Sequence, residues 1–249
     1  MWTVLRRDII GCTACPRLVA HRERVAREKR RQFCNDEYWG RPLPGFGEAD
    51  ARLLIIGLAP AAHGGNRTGR MFTGDSSGDW LARALHGAGF ANQPTSRSRD
   101  DGLRLQDAYI TAAVRCAPPE NKPTPKEFAT CRQYLIRELG LLRRVTVVVA
   151  LGKFAFDAYL GARSETGLEA PKPRPAFGHG AAYALADGVT LIASYHPSRQ
   201  NTQTGRLTRP MLSSVFLSAR RVLDRRRADR ARAGDAPPTG PRDERLAYD

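Results

Sequence analysis

Four short stretches of nearly unbroken apolar residues, 52–57, 108–114, 145–151 and 189–195, punctuate a chain otherwise rich in alanine and arginine. Runs of this length without alternation read as central strands covered on both faces. Helical patterns lie between them. Residues 79–88 follow Ser76 and Ser77, either of which can cap a helix. Thr124, Pro125 and Glu127 spell a capping box with proline in the first turn, opening a helix to about Leu142. A shorter helix, 153–160, follows the third strand, and Pro210 opens a last one carrying Met211, Val215, Leu217 and Val222. A first helix is predicted over 17–31 with a thin apolar stripe, and a Pro/Gly-rich segment, 40–47, leads into the core. Strand alternating with helix predicts an α/β fold: a three-layer α/β/α sandwich on a short, mainly parallel, four-stranded sheet.

The longest apolar runs fall far short of the roughly 18 residues of a membrane helix. The first residues carry no secretory pattern. A soluble protein is expected. A length of 249 residues, 41% of them hydrophobic, suits one folded domain. That domain is expected over residues 1–228, leaving 229–249, with Pro237-Pro238 and Gly240-Pro241, as a disordered tail.

The formal net charge is +15, and residues 1–32 and 220–232 together supply +11 of it. Arginines facing phosphates gain affinity by releasing counterions, so a polyanion is the leading partner. A solvated, charge-rich helix face is the plain alternative. Polar motifs follow three of the strands: 57–66, 115–121 and 195–201. All three are therefore expected at the carboxyl edge of the sheet, where open α/β sheets build their sites.

Five cysteines are present. Cys12 and Cys15 form C-x2-C, Cys116 and Cys131 form C-x14-C, and Cys34 stands apart as an ordinary thiol. A disulfide scaffold fits poorly in a chain large enough to bury a core. Two pairs brought together by the fold would complete a four-thiolate shell for an iron–sulfur centre or for zinc. Zinc ribbons more often repeat a tight C-x2-C in both halves, and prolines beside the thiols (Pro16, Pro118) suit iron–sulfur ligands; unliganded thiols are the third possibility.

Together these features resemble the uracil-DNA glycosylase superfamily, most closely its family five, the iron–sulfur-containing type B. The carrying motifs are Gly57-Leu58-Ala59-Pro60-Ala61 with His63-Gly64, the segment from Gly69 to Asp75, Tyr195-His196-Pro197-Ser198-Arg199-Gln200-Asn201 with Thr204 to Thr208, and the two cysteine pairs. The resemblance covers roughly Cys12 to Leu223. It implies a DNA repair enzyme that flips uracil, and other deaminated bases such as hypoxanthine, out of the DNA and hydrolyses the N-glycosidic bond; no lyase step is expected, because no lysine belongs to the three strand-end motifs. It further implies a 4Fe-4S cluster on Cys12, Cys15, Cys116 and Cys131, held partly by the N-terminal segment 1–50. The partner is double-stranded or single-stranded DNA, and the protein is expected to be a cytoplasmic monomer.

Residue by residue, the resemblance assigns His196 the donor that stabilises charge on the departing base. Phe72 is the stacking ring, Asn121 the amide reading the base edge, and Gly57 and Ala59 line the base site. Most of the superfamily carries Asp, Asn or Glu just after the first motif's glycine; Leu58 and Ala59 stand there instead. Asp75 is the nearest carboxylate in a matching segment, and takes the water-activating or cation-stabilising role. Arg199, Asn201 and Arg206 are expected at the DNA, with Leu207 as a wedge filling the vacated stack.

Each assignment has a plainer reading. His196 and Phe72 suit a core, Asn121 a turn before Lys122-Pro123, Asp75 a helix N-cap, and 199–209 an ordinary polar connection. Lys122 is the one amine near enough to keep a lyase step open. Two rival functions also fit the composition: a non-catalytic, metal-stapled nucleic-acid-binding module, and an electron carrier.

Overall fold

A computed structural model describes residues 1–168 and 171–232. Its sheet contains β1 (Phe46–Gly47), β2 (Leu53–Gly57), β3 (Ala108–Ala112), β4 (Val147–Leu151), β5 (Ala182–Ala184) and β6 (Thr190–Ser194), in the order β1-β3-β2-β4-β6-β5. The inner four strands, β3-β2-β4-β6, run parallel. They are the four apolar runs of the sequence. The expected count of four strands is corrected to six, because β1 and β5 pair antiparallel at the two edges. With two and three residues, neither edge strand is long enough to display a period.

Alternate residues of each inner strand feed opposite layers, as the pleat requires. Leu53, Ile55, Ile110, Val147, Val149 and Ile192 pack with α4 (Ser76–Gly87) and α8 (Arg209–Arg232). Leu54, Ile56, Tyr109, Val148, Ala150 and Leu191 pack with α1 (Trp2–Ile10), α5 (Pro125–Leu141) and α6 (Lys153–Glu165). The three layers are therefore those expected. Burying both faces is why the strands are apolar throughout rather than on alternate positions.

The helix α1 was not foreseen, although Trp2, Leu5 and Ile9 sit one, two and three turns along a single buried face. It lacks a side-chain N-cap. Arg137 of α5 bonds Asp8 at 2.7 Å and holds it in place. The next helix, α2, covers Pro16–Glu28, starting one residue before the predicted helix and ending three short of it. The capping box of α5 is present as predicted: Glu127 N–H donates to Thr124 Oγ1 at 3.3 Å, and Thr124 N–H to Glu127 Oε2 at 2.7 Å. Glu127 also receives Arg17 of α2 at 2.7 Å, tying the N-terminal segment to α5.

Two short helices, α3 (Gly65–Thr68) and α7 (Arg199–Gln203), lie in the motifs that follow β2 and β6. The helix α8 continues to Arg232, past the predicted domain end at 228. The remainder, 233–249, expected as a tail, lies outside the described residues. Among the described residues no helix is long and apolar enough to cross a membrane.

Candidate active site and cysteine cavity

The inner strands all point their carboxyl ends the same way, so the segments after β2, β4 and β6 emerge side by side. Gly152 N–H donates to Ser194 O at 2.7 Å and keeps the ends of β4 and β6 together. Gly152 has φ +95°, and a Cβ there would stand 3.4 Å from Cβ of His196. His196 thus begins its loop against the last turn of β4.

Phe72 lies directly over the end of β2. A Cβ on Gly57 would come within 2.7 Å of its ring, so glycine is what lets the ring settle there. The Phe72 and His196 rings are 5.8 Å apart between centroids, tilted by 32°. Phe72 itself holds φ +50°, a left-handed conformation that bulky residues adopt only when the surroundings impose it. Gly78 supplies part of that imposition, since a Cβ at 78 would overlap the Phe72 carbonyl.

Asp75 is the N-cap of α4, accepting from Gly78 N–H at 2.9 Å through Oδ1. Its other oxygen lies against the Cα of Gly64, where a Cβ would overlap Oδ2. Desolvation pushes the Asp75 carboxyl up; the Gly78 and Ser77 amides and the Arg199 charge pull the other way without cancelling it. One oxygen therefore caps the helix, and the other faces the loop after β2. His196 is pushed down to about 4 by burial, so its imidazole is neutral at pH 7. It can donate a hydrogen bond without carrying a charge.

The other predicted residues are placed as follows. Ala59 packs at the edge of the lower core. Asn121 is exposed on a one-turn 3-10 segment after β3, with φ +57°, and makes no side-chain hydrogen bond to Phe72 or His196. Arg199 and Arg206 are exposed, and the Arg206 guanidinium stands 4.6 Å over the Tyr195 ring. Asn201 turns inward, its amide donating to His196 O at 2.9 Å. The expectation for Leu207 is corrected: its side chain is 0% exposed, within the upper core, and does not project as a wedge.

Three contributors were missed by sequence reasoning. His179 accepts from Tyr195 N–H at 3.1 Å and stacks on the Tyr195 ring at 5.1 Å, fixing the residue before His196. Tyr38 meets His63 Nδ1 at 3.0 Å. Arg67 bridges two loops, as developed below. His179 and Tyr38 carry no local signal, because their partners lie 16 and 25 residues away; Arg67 bonds His63 and Gly74 within its own segment.

The four predicted ligand cysteines line one cavity, with Arg22, Pro42, Arg115 and Tyr134 among its other walls. Burial pushes the Cys116 thiol up to about 11 and the Cys131 thiol up to about 12. Arg22 donates to Cys116 Sγ at 3.2 Å, and the Arg115 amide to Cys131 Sγ at 3.3 Å. Such donors stabilise thiolate sulfur. Among the described residues no three ligating side chains are drawn close enough to grip one ion. Cys34 is exposed and apart.

With this geometry in hand, comparison with known proteins is decisive. The family model of the uracil DNA glycosylase superfamily matches residues 44–219. The chain belongs to the uracil DNA glycosylase superfamily. It is 54% identical to the type-5 uracil-DNA glycosylase of Thermus thermophilus, over 87% of this chain and 95% of that protein. It is 47% identical to the type-5 enzyme of Pyrobaculum aerophilum, over 85% of this chain and 88% of that protein. The type-4 uracil-DNA glycosylase of Thermotoga maritima is more distant, at 28% over 78% of this chain. In this member of the superfamily, the matched region spans β2, Phe72, Asp75, Cys116, Cys131 and His196; Cys12 and Cys15 precede it.

Proposed function

We propose that the chain removes uracil from DNA by hydrolysing the N-glycosidic bond of a flipped-out nucleotide. The observation that carries this reading is the grouping of Phe72, a neutral His196 and a proton-avid Asp75 around the glycine-lined end of β2.

Each side chain has a task in that reaction. Phe72 offers a ring held rigidly by Gly57 and Gly78, a face on which a pyrimidine stacks. Bond cleavage leaves negative charge on the base oxygen, and a neutral imidazole N–H from His196 stabilises it there. Asn201 fixes the His196 backbone, and His179 fixes Tyr195 before it. Asp75 receives the proton of the attacking water or faces the cationic sugar; a raised pKa makes it the stronger base of the ordinary carboxylates. Asn121 contributes its amide from the neighbouring loop, Arg199 and Arg206 meet phosphates, and the wedge role is not extended to the buried Leu207.

No lyase step is included. A Schiff-base lysine wants a desolvated setting, and Lys122 is exposed and paired with Glu120 at 3.3 Å.

The reading of a 4Fe-4S cluster on Cys12, Cys15, Cys116 and Cys131 is supported by the four thiols lining one cavity. When bound, such a cluster supplies a multi-metal cross-link between thiolates, and hydrolysis draws no electron from it. The chain's own residues around it join α2, the loop after β3 and α5.

Activity on hypoxanthine is retained as part of the proposal, with Ala61 and Ala62 as the small residues beside the pocket. Gly64 and Gly65 add less room than their size suggests: the first is filled by Asp75, the second by Leu43 and Pro60.

The test is single-turnover base release from duplexes containing uracil, hypoxanthine, xanthine or a thymine mispair, with wild type and His196→Ala. Release of free uracil that drops sharply in the variant is expected. DNA binding without release of any base by the wild type overturns the proposal in favour of a non-catalytic binding module.

A further inference from the structure

We propose that Arg67 is the positioning residue for Asp75, a planar clamp that sets the distance between the loop after β2 and the start of α4. The inference rests on the role given to Asp75 above.

The Arg67 side chain is only 13% exposed. Each nitrogen of its guanidinium makes a hydrogen bond. Nε donates to His63 O at 2.9 Å, Nη2 to Gly74 O at 2.9 Å, and Nη1 to Asp36 Oδ2 at 2.6 Å. Its face lies 3.9 Å from the centroid of Phe33. His63 is the neighbour of Gly64, against which Asp75 rests, and Gly74 is the neighbour of Asp75 itself. One rigid group thus holds both sides of the seat in which the carboxylate lies.

The fit is close on the Gly74 side. Gly74 has φ +77°, and a Cβ there would stand 2.5 Å from Nη2. On the opposite side of the same loop a second arginine, Arg70, is buried and pairs with Asp101 at 2.8 Å while bonding Thr73 and Ser96. The segment from 69 to 75 is therefore bolted from two directions, and only the Arg67 bolt reaches the carbonyl next to Asp75.

A DNA contact is the competing use for an arginine in this motif. Each of its nitrogens already donates to a protein oxygen, its side chain is 13% exposed and its charge is matched by Asp36, which weighs against a phosphate contact. Lysine cannot reproduce the arrangement, because an ammonium is a point donor without the planar fork. Displacing a reacting group by about 1 Å costs on the order of a hundredfold in rate.

The experiment measures uracil release under single-turnover conditions, affinity for a uracil-containing duplex, and a mutant cycle with Asp75→Asn. For Arg67→Lys and Arg67→Gln the maximal rate is expected to fall about 10- to 100-fold, with duplex affinity within about twofold of wild type. In the Asp75→Asn background the same changes are expected to cost nothing further, since they act through Asp75. Phe33→Leu with Asp36→Asn, which loosens the clamp from outside while leaving Arg67, is expected to reproduce a smaller part of the loss, about 3- to 10-fold. Losses that multiply in the Asp75→Asn background, or that fall on duplex affinity, overturn the positioning role. Full activity of Asp75→Asn alone overturns instead the function assigned to Asp75.

Discussion

Gly64 and Asp75 touch so closely that no side chain fits between them: a methyl group on the glycine would occupy the place of Oδ2. Gly64→Ala is therefore expected to displace the carboxylate and lower single-turnover uracil release by about a hundredfold. Its backbone sits at φ −101°, ψ −105°, outside the main regions open to alanine, so the Tm of the variant is measured beside its rate. A wild-type rate in Gly64→Ala would show that the seat of Asp75 is immaterial.

The titration of the site should be unusual for a histidine enzyme. His196 stays neutral down to about pH 4, so the rate should show no break near the ordinary histidine value of about 6.5. The acid limb should belong to Asp75, lie above the usual carboxylate value of 3.8, and disappear in Asp75→Asn. For stability the histidine works in one direction: the unfolded chain takes up its proton below about pH 6.5, the folded chain only below about 4. Folding free energy should therefore decline as pH falls through that window, and less so in His196→Gln. Unchanged decline in the variant would place the proton uptake elsewhere.

The proposed 4Fe-4S ligation predicts brown wild-type protein and colourless Cys131→Ser and Cys116→Ser. Loss of a structural centre is loss of folding energy. A fall of Tm by about 10 °C, corresponding to roughly 3–4 kcal/mol in a chain of this size, is expected by calorimetry. Cys34→Ser, on the exposed thiol, is the control and should retain both colour and Tm. A brown Cys131→Ser protein would remove Cys131 from the ligand set.

Beneath that cavity lies a fully buried ion pair, Arg115 to Glu138, at 2.5 Å, with Thr111 and Tyr109 hydroxyls donating to the same carboxylate at 2.6 and 3.1 Å. It joins the residue before Cys116 to the helix that carries Cys131. Glu138→Ala strands a buried guanidinium and should cost about 3–5 kcal/mol. Iron content per chain should fall along with Tm in that variant. A loss of stability with full iron content would separate the pair from the cysteine site.

Much of this was legible in the chain. The inner strands were visible because burial on both faces leaves an unbroken apolar run, and the capping box marked the start of α5. The cysteine spacings anticipated that two distant pairs of thiols come to line one cavity. Other parts had no local signature. The edge strands β1 and β5 are shorter than any period, and α1 lacks a cap although its face is regular. Leu207 illustrates the limit most clearly, since an apolar residue in a polar loop looks like a surface wedge until the fold draws it into the core.

By itself, then, the sequence determined the layers, the parallel inner sheet, and which chemical groups stand at its carboxyl edge, because those follow from periodicity and the alternation of strand with helix. Only the tertiary structure decided which of the groups touch. That Asp75 rests on Gly64, that Phe72 lies over Gly57 and meets His196, and that His179 holds Tyr195 are contacts that form only on folding. A side chain's neighbours across space depend on every element packed between them, and no local pattern encodes that sum.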